Sequence, residues 1–600
     1  MTATRSNIAA RWAGPIVVAL VGAVMMIRSW GTWPDCVVDF GRELYVPWQL
    51  SEGKVLYRDI VSYFNGPLSP YLHAGLFKLF GASLQTLVVF NLLVIASVAT
   101  LLYALLARAA GRVAASAGGV LFFILFAFAQ LRFAGNFNFV CPYSYELTHG
   151  IELTLFAIFC LDRWVRSDRR AWLIAGAATL GLVWLTKAEV ALAATATLAT
   201  GVLANLWLKQ FSRRRAIVEI AVSAGATIVV VGIALLWLMI HLSAGEALRG
   251  VAGAWRWLGE RSLLDMPYFK DLAGTRDVAE SLRIIATWSA GYGVLFVLPA
   301  AAGLLFRKRG RGPAIVAMAL FLALITMGVW FWPKINWDNF LRPMPLLMLV
   351  ACLMLGRRIL KRSGDSPRCV LSIALLVFAL TLLAKIALNA HIYHYGFALA
   401  MPATVVGAAM LIGWMPAAID RAGGCGNYLR ATVLAALVIV CGVHVRAMEQ
   451  LWANKTVMVG AGADAFLADW RGEIVDRMLN DLMRGTPRDA TVAVVPEGLI
   501  LNYLARRENP TGQLNFTPPA LVMYGKDRML EAFRTHPPDY VVVAGVDTAE
   551  YGPRFFGTDY AQELGAWFQD NYIVIHRVGA LPFREPGFGM LLLKRKAPSS

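Results

Sequence analysis

The chain has 600 residues, of which 58% are hydrophobic and only 16% charged. A soluble globular chain carries about 25% charged residues, so the composition excludes an ordinary soluble enzyme. The net charge of +18 falls on separate short links, not on one stripe, which argues against nucleic acid as a partner.

Taken in chain order, the apolar residues cluster into runs such as Ala13–Ile27, Leu84–Leu106, Ala221–Ile240 and Cys369–Ala384. These approach or exceed the roughly 18 to 20 residues that span hydrocarbon as a helix. Backbone groups in lipid must bond within their own segment, so helices are expected there. Length and loop charge together predict a polytopic α-helical membrane protein with about thirteen transmembrane helices. The expected ranges are 13–30, 84–107, 113–130, 148–163, 171–186, 188–208, 216–241, 283–305, 313–331, 341–356, 369–389, 397–415 and 430–447.

Basic links at Arg163/Arg166/Arg169/Arg170, Arg213–Arg215, Arg307–Arg311 and Arg357–Arg362 alternate with links poor in Lys and Arg. That alternation puts the N-terminus in the cytoplasm and the C-terminus outside. No small-x-small cleavage site follows the first run, so it reads as a retained span. Three outer segments are too long for simple turns: 31–83, about 243–281, and the tail. Residues 1–447 are thus expected to form the membrane domain, and 448–600 a non-cytoplasmic α/β domain. In the tail, 464–484 has helical periodicity, and strand-like runs lie at Thr491–Val495, Tyr540–Val543, Tyr572–His576 and Met590–Leu593. The tail carries no Walker loop, dinucleotide fingerprint or GxSxG elbow. Cys36 and Cys141 both face the outer side, where a disulfide is chemically permitted, but a shared compartment does not bring two thiols together.

Ionisable residues at outer span ends are the candidates for chemistry. Asp35, Asp39 and Glu43 recur every four residues and would share one face if helical, in a loop rich in Trp and Tyr. The SPYLHAGLFKLFG piece reads as an interfacial amphipathic helix. Lys187 and Glu189 interrupt a long apolar stretch, where charge is costly and a functional role is the default reading; the bland alternative is a snorkelling Lys beside its own Glu. Lys334, Asp338 and Arg342 close another span, and Arg suits phosphate. His391 and His394 could ligate a metal, although polar helix-end residues of this kind are commoner. Glu146 stands in a short outer loop as a solvated acid.

The pattern Asp39-x-Gly-x-x-x-Tyr45, Glu52-Gly53, Tyr57-Arg58-Asp59 and Gly66-Pro67 resembles the first periplasmic loop of bacterial C-type membrane glycosyltransferases of the GT-C fold. These are enzymes similar to protein O-mannosyltransferases and the aminoarabinose transferase of lipid A. The motif match is confined mainly to Asp39–Pro67, whereas the layout covers the whole chain. The resemblance implies that Asp39 is the catalytic base, supported by acids among Asp35, Glu43, Asp59 and Glu146. It implies a polyprenyl-phosphate sugar donor whose phosphate meets Lys187 and Arg342, with Glu189, Lys334, His391 and His394 as further candidates. The acceptor would be a glycan, lipid or protein. Some members use an Asp-Glu pair; here Phe40 follows Asp39, which leaves a divalent metal open and no cofactor assigned. Two other readings stand beside this one. A transporter or lipid-carrier flippase would show internal repeats and charges at the bilayer midplane. A non-catalytic envelope assembly protein would need its tail but not Asp39.

Overall fold

The structure, a computed structural model, describes residues 2–305, 312–363 and 365–597; the basic link at Arg307–Arg311 lies outside the described residues. Every expected apolar range overlies a helix. Among the described residues, nine helices are long and apolar enough to cross a bilayer, and Trp12–Arg28, Arg112–Ala127 and Arg170–Trp184 are shorter apolar helices. Tyr145–Ser167 carries Glu146, Glu152, Asp162, Arg163 and Arg166 and packs inside the bundle against Leu84–Ala109, Arg170–Trp184 and Ala188–Leu208.

Burial orders the bundle. In the most apolar stretch of Gly396–Arg421 83% of the residues are buried and in that of Ser366–Ile386 67%, whereas in that of Arg213–Leu238 none is fully buried. The first two are the centre; the last presents Ile228, Ile233 and Leu236 outward. A continuous exposed apolar face of this kind is a lipid-facing surface. The chain is therefore a multi-pass helical membrane protein. The apolar stretch between Leu173 and Leu208 breaks at Leu185–Lys187, so Arg170–Trp184 and Ala188–Leu208 are separate helices with Lys187 at the N-cap of the second.

The first long loop, 31–83, folds into two helices, Phe40–Ser51 and Leu68–Phe80. The second buries Ser69, His73, Ala74 and Phe77 and exposes Leu72, Leu79 and Phe80. Asp35, Asp39 and Glu43 do not share a helix face as the spacing suggested. The helix begins only at Phe40, so Asp35 stays in the preceding loop and Asp39 is the capping residue.

The tail holds all six strands of the described residues: β1 (Val457–Val459), β2 (Phe466–Ala468), β3 (Val492–Val495), β4 (Tyr540–Ala544), β5 (Tyr572–Gly579) and β6 (Gly589–Arg595). β1 and β2 form an antiparallel pair, and the main sheet has the order β3-β4-β6-β5. β3 and β4 run parallel, Val492 opposite Tyr540, and both are almost wholly buried. A strand covered on both faces reads as an unbroken apolar run, which is why both were visible in the sequence. The helix expected at 464–484 starts later, at Arg471. Phe466–Ala468 pairs instead with β1, a long-range choice that local periodicity does not encode.

The tail lies on the first long loop. Leu467 donates its backbone N–H to Gly31 O at 2.9 Å, and Val61 donates to Gly512 O at 2.9 Å. Asn509 N–H donates to the Tyr45 hydroxyl at 2.8 Å. Cys36 and Cys141 are both buried free thiols, and no disulfide joins them.

Candidate active site

Asp39 has φ 59° and ψ −54°, and Phe40 N–H donates to Val38 O at 2.7 Å across it. That is a three-residue γ-turn of the rare positive-φ form. A side-chain-bearing residue held there stores on the order of 1–3 kcal/mol, a cost found mainly at functional sites. The Asp39 carboxylate is 26% exposed, and Arg42 Nη1 lies 3.8 Å away. It lines a small cavity with Val37, Arg42, Glu497, Leu514 and Asn515. Burial pushes its carboxyl above the ordinary range; the Arg42 guanidinium and the Lys187 ammonium pull the other way.

The Gly66-Pro67 motif explains how Lys187 reaches this region. Gly66 N–H donates to Thr186 O at 2.6 Å, and Leu68 N–H to Leu185 O at 3.0 Å. A Cβ on Gly66 would stand 2.3 Å from Leu185 O, so only glycine permits the approach. The turn before Lys187 is thereby tied to the first loop. Lys187 is 7% exposed, with Nζ 3.4 Å from the Tyr143 hydroxyl and 4.7 Å from the centre of its ring.

Arg42 joins the acids. Its Nε donates to Glu43 Oε1 at 3.2 Å and its Nη2 to Tyr143 O at 2.5 Å. Glu43 Oε2 accepts the Tyr145 N–H at 3.1 Å. Glu146 Oε2 accepts Asn65 Nδ2 at 2.9 Å and the Ser144 hydroxyl at 2.7 Å; it is buried, not the solvated acid expected. Glu43 and Glu146 line a second cavity with Arg42, Asn65, Ser69 and His73. Burial, with Glu146 next, pushes the Glu43 carboxyl up to about 8.

Other candidates sit elsewhere. Asp35 accepts the Val37 and Val38 N–H groups at 2.9 and 2.8 Å and pairs with Arg471 of the tail at 2.8 Å. Asp59 accepts the Val55 N–H at 2.7 Å and pairs with Arg58, closing its own turn. Glu189 pairs with Lys385 at 3.1 Å, not with Lys187. Arg342 donates to Leu388 O at 2.5 Å and Asn339 Oδ1 at 3.2 Å; no hydrogen bond or ion pair links it to Asp39 or Lys187. Lys334 is exposed beside the Phe331 ring.

His391 Nδ1 bonds Asn389 O, and His394 Nε2 bonds the Tyr268 hydroxyl at 3.0 Å. Burial lowers His391 to about 4 and His394 to about 3. Among the described residues no group of three or more His, Cys, Asp or Glu is placed to hold a metal.

Arg42, Lys385 and Glu497, all near Asp39 or Lys187, escaped the sequence reading. Lys385 is a lone cation in LLAKIALNA, the kind of intramembrane charge that marks function by default. Glu497 follows a buried strand, and its only local signal is an acid at the strand's C-terminal end.

No family model matches the chain, and no curated protein matches it. Solved structures similar to it include the Archaeoglobus fulgidus oligosaccharyltransferase in its apo form, at 13% identity and TM-score 0.47, covering 88% of this chain and 69% of that one. Archaeal oligosaccharyltransferase AglB of the same organism, in complex with an inhibitory peptide and a dolichol-phosphate, matches at 13% identity and TM-score 0.47, covering 89% and 70%. ArnT from Cupriavidus metallidurans bound to undecaprenyl phosphate matches at 12% identity and TM-score 0.37, covering 97% and 98%.

Proposed function

We propose that this chain is a membrane glycosyltransferase that moves a sugar from a polyprenyl-phosphate donor to an acceptor hydroxyl at the outer face of the inner membrane. The observation that carries the reading is Asp39: a partly exposed carboxylate on a strained turn, inside the loop-one motif, with Arg42 beside it and Lys187 acting on it.

The chemistry follows from those groups. Asp39 takes the proton of the acceptor hydroxyl, a general-base step worth about a hundred- to ten-thousandfold. The acceptor oxygen bonds the anomeric carbon, the bond from that carbon to the phosphate oxygen breaks, and the lipid phosphate leaves with the electron pair. Lys187 stabilises the charge developing on that phosphate, the usual electrostatic contribution. Arg342 belongs to a separate group with Asn339 and Leu388, so we assign the phosphate to Lys187 and leave Arg342 outside this step. N-terminus inside and tail outside is the orientation that the Arg-rich links favour.

The test is Asp39→Asn in cells, with surface glycan and protein abundance measured together. Loss of glycan at unchanged abundance is expected. Normal glycan with stable variant protein would overturn the reading and favour the assembly or transport alternatives.

A further inference from the structure

The side chain that holds Asp39 comes from the other end of the sequence. In the γ-turn at Asp39 the hydrogen bond runs from Phe40 N–H to Val38 O, so the turn itself does not use the Asp39 N–H. Glu497 Oε1 accepts that N–H at 2.8 Å, across 458 residues of chain. Asn515 Nδ2 lies 3.4 Å from the same oxygen. Gly41 makes the approach feasible: a Cβ there would stand 2.1 Å from Ile500 N. Asp39 and Glu497 both line one cavity, with Arg42 and Asn515 on its wall.

We infer that Glu497 is a positioning residue for Asp39: it fixes the turn that presents the Asp39 carboxylate and places a second acidic residue at the same cavity. The effect on activity rests on the sugar-transfer reading; the contact does not. The site is then incomplete without the tail.

The charged and titratable groups around Glu497 are Asp39, Arg42 and Asp35 from the first loop and Tyr551 and Tyr560 from the tail. Burial, then the Asp39 charge, pushes the Glu497 carboxyl up to about 8. A carboxyl raised above its unfolded value stabilises the fold at low pH and loses that contribution as pH rises through the raised value. Two carboxylates sharing a site behave in this way because both cannot ionise cheaply.

Glu497→Gln and Glu497→Ala separate the two roles. Gln keeps an oxygen for the Asp39 amide and removes the charge; Ala removes both. In the purified full chain, the thermal-unfolding midpoint of Glu497→Gln relative to wild type is expected to rise between about pH 5 and about pH 9. That rise is expected to shrink in an Asp39→Asn background, where the part due to the Asp39 charge is gone. A pH-independent difference, or one untouched by Asp39→Asn, would overturn the pairing.

In the glycan assay Glu497→Ala is expected to lose at least about tenfold, as a misplaced base should. Glu497→Gln should lose less, because it keeps an oxygen for the Asp39 amide. Equal losses for the two variants would overturn the positioning role. If Asp39→Asn itself leaves the glycan normal, the sugar-transfer reading falls, and the contact is judged on the unfolding data alone.

Discussion

Lys385 Nζ lies 3.1 Å from Glu189 Oε1, across 196 residues of chain. The acid that the sequence places beside Lys187 is thus matched by a cation from another helix. An ammonium carries three donors, and the Lys187 contact to a protein oxygen is the long one to the Tyr143 hydroxyl, 3.4 Å. Lys385 is engaged with a carboxylate, whereas Lys187 meets only a neutral hydroxyl, so we assign the anion to Lys187.

The two lysines should therefore fail differently. Lys187→Ala is expected to weaken binding of a polyprenyl phosphate with little loss of abundance. Lys385→Ala leaves Glu189 with one cation fewer in a site where its side chain is 13% exposed. Its cost should be about 2 kcal/mol, between the values for exposed and fully buried pairs. Lipid-phosphate titration beside thermal unfolding checks both; equal effects of both variants on binding would remove the distinction.

Arg471 ties the tail to the first loop. It lies 2.8 Å from Asp35 and 2.7 Å from Asp469, with side-chain exposures of 10%, 1% and 5%. Removing one member of such a group strands buried charge, so Asp35→Ala should cost roughly 3–5 kcal/mol. Limited proteolysis should then release the tail faster. Lys455 adds to the clamp by donating to Thr32 O and, at 3.0 Å, to Pro34 O.

The same group sets an acid limit. Burial opposes ionisation of Asp35, but the Arg471 charge and the Val38 amide outweigh it and hold its carboxyl below the ordinary range. A depressed carboxyl contributes stability above its unfolded value, about 4, and loses it as pH falls through the folded value. The unfolding midpoint of wild type is expected to drop below about pH 4, and that of Asp35→Asn to drop less. Parallel acid limbs would show that Asp35 is not the group responsible.

Much of this layout was legible in the sequence because lipid imposes a simple rule. A helix that spans hydrocarbon must be an apolar run, and buried parallel strands such as β3 and β4 are apolar runs as well. The first-loop acids were misread because a spacing of four assumes a helix, and nothing local announces that Asp39 stands on a γ-turn. The partners Arg471, Lys385 and Glu497 were invisible for a related reason. Periodicity reports on a window of a dozen residues, whereas these contacts close loops of 436, 196 and 458 residues.

Two glycines now separate the two halves of the site. A Cβ on Gly66 would meet Leu185 O at 2.3 Å, and one on Gly41 would meet Ile500 N at 2.1 Å. Backbone atoms cannot swing aside as a side-chain tip can, so each substitution to Ala should cost about 1–3 kcal/mol of overpacking. The functional consequences should diverge. Gly66→Ala pushes the first loop off the turn before Lys187 and should resemble Lys187→Ala in weakening lipid-phosphate binding. Gly41→Ala pushes the loop off the tail and should resemble Glu497→Ala, with donor binding kept and sugar transfer lost. Gly75→Ala, whose Cβ would meet nothing within 4 Å, serves as the control. Identical phenotypes for Gly41→Ala and Gly66→Ala would mean that the loop moves as one body, and that donor-phosphate contact and base positioning cannot be disturbed one at a time.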